Sequence, residues 1–97
     1  MKPSEALNLH RSETRRVVEA NGAANPRVFG STLCGEDTEG SDLDLLVDPI
    51  AGQTTLTSLV RIKREVEAIT GVPTDVLTPM ALHERFRNAV LAEAVPL

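Results

Sequence analysis

Asp42-Leu43-Asp44-Leu45-Leu46-Val47-Asp48 is the stretch on which the reading of this chain turns. Alternation with a period of two puts Leu43, Leu45 and Val47 on one face of a strand and Asp42 and Asp44 on the other. Residues two apart on a strand are separated by roughly 6.6 Å, close enough for both carboxylates to converge on shared metal ions. On a helix the same spacing would aim them apart. At about 4 Å and an effective dielectric near 20, two like charges repel by roughly 4 kcal/mol. Either one acid is then protonated or a cation lies between them. An all-oxygen donor set selects hard ions, Mg²⁺ first and Mn²⁺ as the alternative. On spacing alone a plainer reading stands beside this one, with Asp42 capping the strand entrance and Asp44 facing water.

Upstream, Arg27-Val28-Phe29 reads as a short strand that runs into Gly30-Ser31, with Gly35 closing a turn. A strand ending in Gly-Ser exposes backbone N–H groups and a hydroxyl, a cradle suited to phosphate oxygens. Alone, Gly-Ser is an ordinary turn; at a fixed distance from Asp-x-Asp it carries more weight.

Farther out, Ser4 to Ala20 reads as a helix stopped by Asn21-Gly22, and Asp48-Pro49 ends the central strand. Thr55 or Thr57 caps a helix running to about Thr70, with Leu56, Leu59, Val60, Val66 and Ile69 as its apolar positions and Gly71 after it. Val72 to Leu77 is a third strand. Pro79 opens a last helix to about Ala94, striped by Leu82, Phe86, Val90 and Leu91. The order helix, strand, strand, helix, strand, helix predicts an α/β sandwich with a small mixed sheet of about three strands. Ninety-seven residues support one hydrophobic core, so residues 1–97 are expected to form a single domain.

Composition narrows the function. From Val28 to Val60 there is no Lys or Arg, while Glu36, Asp37, Glu39, Asp42, Asp44 and Asp48 all fall there, which is unlike a face for duplex nucleic acid. Glu36, Asp37 and Glu39 read as a solvated loop, and His10 and His83 as surface histidines. No apolar run approaches a membrane span, and the lone Cys34 suits a reducing cytoplasm. As a nucleophile Cys34 is disfavoured, because its acidic neighbours raise a thiol pKa.

The stretch Gly30-Ser31, ten residues, then Asp42-Leu43-Asp44 resembles the Gly-Ser-x10-Asp-x-Asp signature of the DNA polymerase beta-like nucleotidyltransferases. The wider run from Val28 to Val47 is similar to the minimal nucleotidyltransferase, or MNT, branch. The resemblance implies a third carboxylate on a later strand, and Thr74-Asp75-Val76-Leu77 offers Asp75. It further implies that Gly30 and Ser31 hold the triphosphate of ATP, that Asp42 and Asp44 ligate both metals, and that Asp75 ligates the catalytic metal and helps activate the attacking hydroxyl. The implied reaction is in-line displacement at the α-phosphorus.

One departure stands out. Many MNT relatives read Gly-Ser-x-Ala-Arg-Gly, whereas this chain has Cys34 where they have arginine. Positive charge near the phosphates would then come from Arg27, Arg61, Lys63, Arg64 or a partner chain. MNT proteins pair with HEPN-domain toxins, so the resemblance implies an antitoxin that transfers AMP to a tyrosine of its HEPN partner. Two alternatives remain: neutralisation of the toxin by binding alone, and modification of a small molecule held by a separate chain.

Overall fold

The alternating stretch forms strand β2, Leu43–Pro49, at the centre of a four-stranded mixed sheet. In this computed structural model residues 1–34 and 36–97 are described, apart from the side chain of Cys34; Gly35, expected to close the turn, lies outside them. Helices α1 (Pro3–Leu9) and α2 (Arg11–Ala20) lead into β1 (Ala23–Phe29), followed by the single turn α3 (Ser31–Cys34) and β2. Helix α4 (Leu56–Thr70) then crosses to β3 (Thr74–Leu77), and a 3-10 turn at Pro79–Ala81 precedes α5 (Glu84–Glu93) and β4 (Val95–Pro96). The sheet order is β3-β2-β1-β4, with β2 and β3 parallel and the other pairs antiparallel.

Leu43, Leu45 and Val47 are fully buried and join Leu7, Val18, Val28, Ile62 and Val66 in one core between the sheet and its helices, as the alternation requires. Leu46 is buried from the opposite face, on which Asp44 also lies.

Helix α4 has the expected ends. The Thr55 hydroxyl accepts from the Ser58 N–H (3.1 Å), and Gly71 closes the helix at φ 74°. Its buried positions are Ile62, Val66 and Thr70, while Leu56 is 79% exposed.

Four expectations are revised. The first helix breaks at His10 (φ −123°), where the Thr14 hydroxyl donates to the His10 carbonyl, a local bond that bends helices. Strand β1 begins four residues early: Asn25, at φ 49°, and Pro26 are absorbed by a bulge between Ala24 and Arg27. A fourth strand is present because Val95 and Pro96 pair with Val28 and Arg27. Finally, the last helix starts only at Glu84, after the buried Leu82; no residue of α5 is buried, and Phe86 is 58% exposed. Arg87, beside Phe86 on that helix, donates to the carbonyls of Pro79 (2.9 Å) and Leu82 (3.0 Å) and so ties α5 to the turn before it.

Candidate functional site

Each candidate residue is placed by a backbone feature. β1 ends at Phe29, which pairs across the sheet with Asp44. Gly30 then takes φ 79° and turns the chain into α3, where the Leu33 N–H donates to the Gly30 carbonyl (3.1 Å). A Cβ on Gly30 would collide with Oδ2 of Asp44, well inside the 3.0 Å that real Cβ atoms keep. Glycine is favoured here by its backbone angle, and any Cβ would in addition push the Asp44 carboxylate out of its present position. Ser31, half-buried, opens the turn directly beside it.

On the other side of Asp44 stands Asp75. The parallel pairing of β2 with β3 makes them register partners, locked where the Leu43 N–H donates to the Pro73 carbonyl (2.8 Å). Register partners project from the same face of a sheet, on strands about 4.8 Å apart. Asp42, exposed just before β2, precedes Asp44 by two residues. Burial raises the Asp44 carboxyl above its ordinary range, and the charges of Asp75 and then Asp42 push it the same way. Asp44 and Asp75 thus share one face, and Asp42 shares their field. Among the described residues no three His, Cys, Asp or Glu side chains are gathered tightly enough to surround an ion as they stand. An all-oxygen set whose central member resists ionisation, beside a cradle kept clear by glycine, nevertheless fits a hard divalent cation.

The expected sources of positive charge divide. Arg27 donates to the carboxylate of Asp48 and, through Nε, to the Asn25 carbonyl (3.1 Å). Lys63 donates to Glu67 (3.0 Å) and to the Thr74 carbonyl (2.8 Å). Arg61 and Arg64 are exposed on α4. His10 and His83 serve helix ends: His10 bonds Glu13 (2.9 Å) at the α1–α2 break, and His83 accepts from the Arg85 N–H (3.0 Å).

Asp37 departs from its reading as a solvated loop acid. It is 5% exposed and accepts from the Ser4 N–H (2.8 Å), tying the segment between Ser31 and Asp42 to the start of α1. That bond, offset in part by burial, holds its carboxyl below the ordinary range. Thirty-three residues separate the partners, and no local pattern announces the contact. A cavity of about 160 Å³ borders α3 just past Ser31, lined by Leu7, Arg11, Val28, Thr32 and Leu33 among others. With Asp42 and Asp75 exposed, the acids look out from an open shelf.

Comparison with known proteins identifies the family. The nucleotidyltransferase domain family matches residues 12–97. A candidate protein adenylyltransferase of Methanocaldococcus jannaschii, MJ0435, is 39% identical over 79 residues, covering 81% of this chain and 84% of its own. The protein adenylyltransferase MntA of Thermococcus cleftensis is 33% identical over 89 residues, covering 92% and 86%. A solved structure described as a candidate minimal nucleotidyltransferase superposes with a TM-score of 0.86 at 40% identity, covering 97% of this chain and 95% of that one. A toxin–antitoxin crystal structure with AMP-PNP gives a TM-score of 0.69 at 14% identity, covering 84% of this chain and 66% of that one, a likeness of fold alone. A family match across residues 12–97 and two relatives above 30% identity establish that the chain belongs to the nucleotidyltransferase domain family.

Proposed function

We propose that this chain transfers AMP from ATP to a hydroxyl of a partner protein, most simply a tyrosine of a HEPN-domain toxin, and so acts as the antitoxin of the pair. The observation that carries the reading is the alignment of Asp44 with Asp75 on an open sheet face, beside a Gly30 turn kept clear for the Asp44 carboxylate. An exposed shelf suits an acceptor that another macromolecule presents, whereas a small acceptor needs an enclosing pocket. The relatives named protein adenylyltransferases support the same choice.

In this reading Gly30 and Ser31 receive the triphosphate, and Asp42, Asp44 and Asp75 hold Mg²⁺, with Mn²⁺ as substitute. When bound, the divalent ions neutralise charge on the phosphates and on the attacking and leaving oxygens. Asp75, exposed at the sheet edge, accepts the proton of the incoming hydroxyl. The hydroxyl oxygen bonds to the α-phosphorus as the bond to the bridging oxygen of the β-phosphate breaks, and pyrophosphate leaves. The chain lacks tyrosine, so it offers no such acceptor of its own. Neutralisation by binding alone is favoured by one feature, Cys34 in the place of the family's arginine.

The test uses ATP labelled at the α- or the γ-phosphate, with Mg²⁺ and a HEPN-domain protein offered as partner. Label retained on the HEPN protein from α- but not γ-labelled ATP is expected. A stable complex with neither chain labelled would establish neutralisation by binding. Efficient labelling of a small molecule or tRNA by this chain alone would overturn the antitoxin reading.

A further inference from the structure

We infer that Glu67 and Lys63 of α4 are positioning residues for Asp75, clamping the main chain of Thr74 so that the third acid stays level with Asp44. The inference rests on the proposed role of Asp75. β3 is only four residues long and forms an edge of the sheet, so β2 holds it on one side alone. On its outer side the Thr74 N–H donates to Oε2 of Glu67 (3.0 Å), and Nζ of Lys63 donates to the Thr74 carbonyl (2.8 Å). Lys63 also donates to the same Glu67 oxygen (3.0 Å), which closes a three-membered ring of bonds. Both hydrogen-bonding groups of the residue before Asp75 are thereby fixed by charged side chains. The buried Thr74 hydroxyl adds a bond to the Val72 carbonyl (3.2 Å). Glu67 is held as a carboxylate, its pKa lowered by the Thr74 N–H first and by Lys63 second.

Magnitudes separate positioning from plain stabilisation. Lys63 and Glu67 are part-exposed, at 45% and 32%, and four residues apart on one helix. A pair of this kind contributes little to folding. Its geometric effect is larger, because a displacement of an ångström at a reacting group lowers a rate by as much as about a hundredfold. Loss of the clamp also removes the bonds to the Thr74 main chain, so a modest fall in melting temperature is expected beside a larger loss of rate.

Glu67→Ala, Glu67→Gln, Lys63→Ala and Lys63→Arg would be compared in the full chain and again in an Asp75→Asn background. The readouts are AMP transfer at saturating Mn²⁺, Mn²⁺ binding by electron paramagnetic resonance, and thermal unfolding. Glu67→Ala should lower kcat roughly tenfold, leave KM for ATP within about twofold and weaken Mn²⁺ binding. Glu67→Gln, which keeps an acceptor for Thr74, should recover most of the loss, as Lys63→Arg should relative to Lys63→Ala. In the Asp75→Asn background Glu67→Ala should change neither transfer nor Mn²⁺ binding further. Equal losses in both backgrounds, or losses that follow melting temperature alone, would overturn the clamp. Should the wild type transfer no AMP while Glu67 still governs Mn²⁺ binding only where Asp75 is present, the clamp stands and the transfer reading falls. Should it transfer AMP with additive effects, the reverse holds.

Discussion

Asp44 crowds the position at which a side chain on Gly30 would begin: its Oδ2 lies inside the contact distance of a Cβ there. The Gly-Ser and Asp-x-Asp parts of the signature are therefore in steric contact as well as close in sequence. Gly30→Ala should remove transfer and destabilise the fold, through roughly 1–2 kcal/mol for a left-handed backbone angle plus the clash. Asp44→Ala placed on top should relieve the clash while leaving the backbone strain, so the double variant should melt above Gly30→Ala and below Asp44→Ala. Calorimetry on the four proteins checks this ordering.

Asp44 also sets a dependence on pH. Its pKa in the folded chain is raised above the ordinary 3.8 by burial, Asp75 and Asp42, so ionising it costs stability. The penalty is absent below pH 3.8 and complete once the pH exceeds the raised value. Asp44→Asn should accordingly melt above the wild type at neutral pH, metal-free, with the difference closing in acid, while transfer is lost. Melting curves from acid to neutral pH that stay parallel would contradict the charge crowding.

Asp37 behaves in the opposite sense. Its pKa is lowered by the Ser4 N–H, so its contribution is present above the ordinary carboxylate value and is lost as the pH falls through the lowered one. Removing such a helix-start acceptor costs about 1 kcal/mol. Asp37→Ala should melt below the wild type at neutral pH, and the gap should narrow in strong acid, as melting measured across that range will show.

Mg²⁺ and ATP together should stabilise the chain more than either alone, because Gly30, Ser31 and the three acids would be engaged at once. At a ligand concentration 100 times Kd the linkage is about 2.7 kcal/mol, which for a domain of this size raises Tm by roughly 10 °C or more. The chain lacks Trp and Tyr, so circular dichroism is the suitable probe. An unchanged midpoint would argue against nucleotide binding. Asp75→Asn should keep more of the shift than Asp42→Asn or Asp44→Asn.

What the sequence discloses follows the range of the interactions. β2 and its two acids are legible because a period of two is a local signal and Leu43, Leu45 and Val47 obey it. The caps at Thr55 and Gly71 are local too. Asp75 is different: its place beside Asp44 depends on a parallel crossover through α4, and only a resemblance singled it out beforehand. The break at His10 carries no Gly or Pro to mark it. Asn25-Pro26 looks like a loop yet is a bulge within β1. Phe86 fits an apolar stripe yet is exposed, while its neighbour Arg87 bonds the carbonyls of Pro79 and Leu82, a contact no stripe announces. Asp37 and the Lys63–Glu67–Thr74 ring are tertiary contacts between polar residues, and such contacts have no periodicity to read.

The bulge at Asn25–Pro26 divides β1 into two lengths, one ending at the acids and the other pairing Ala23 with Pro49 at the far end of the sheet. Beyond Pro49 the chain turns at Ile50–Gln53, with Ala51 and Gly52 exposed and open space where a Cβ on Gly52 would stand. Five residues of extended backbone from Asp44 to Pro49 amount to roughly 17 Å, and the turn lies beyond them. That remote tip is a natural mooring for a fluorophore. With Cys34 as the sole cysteine, Cys34→Ser combined with Ala51→Cys leaves one attachment point, from which capture of a partner at the opposite end can be watched without a dye crowding the acids.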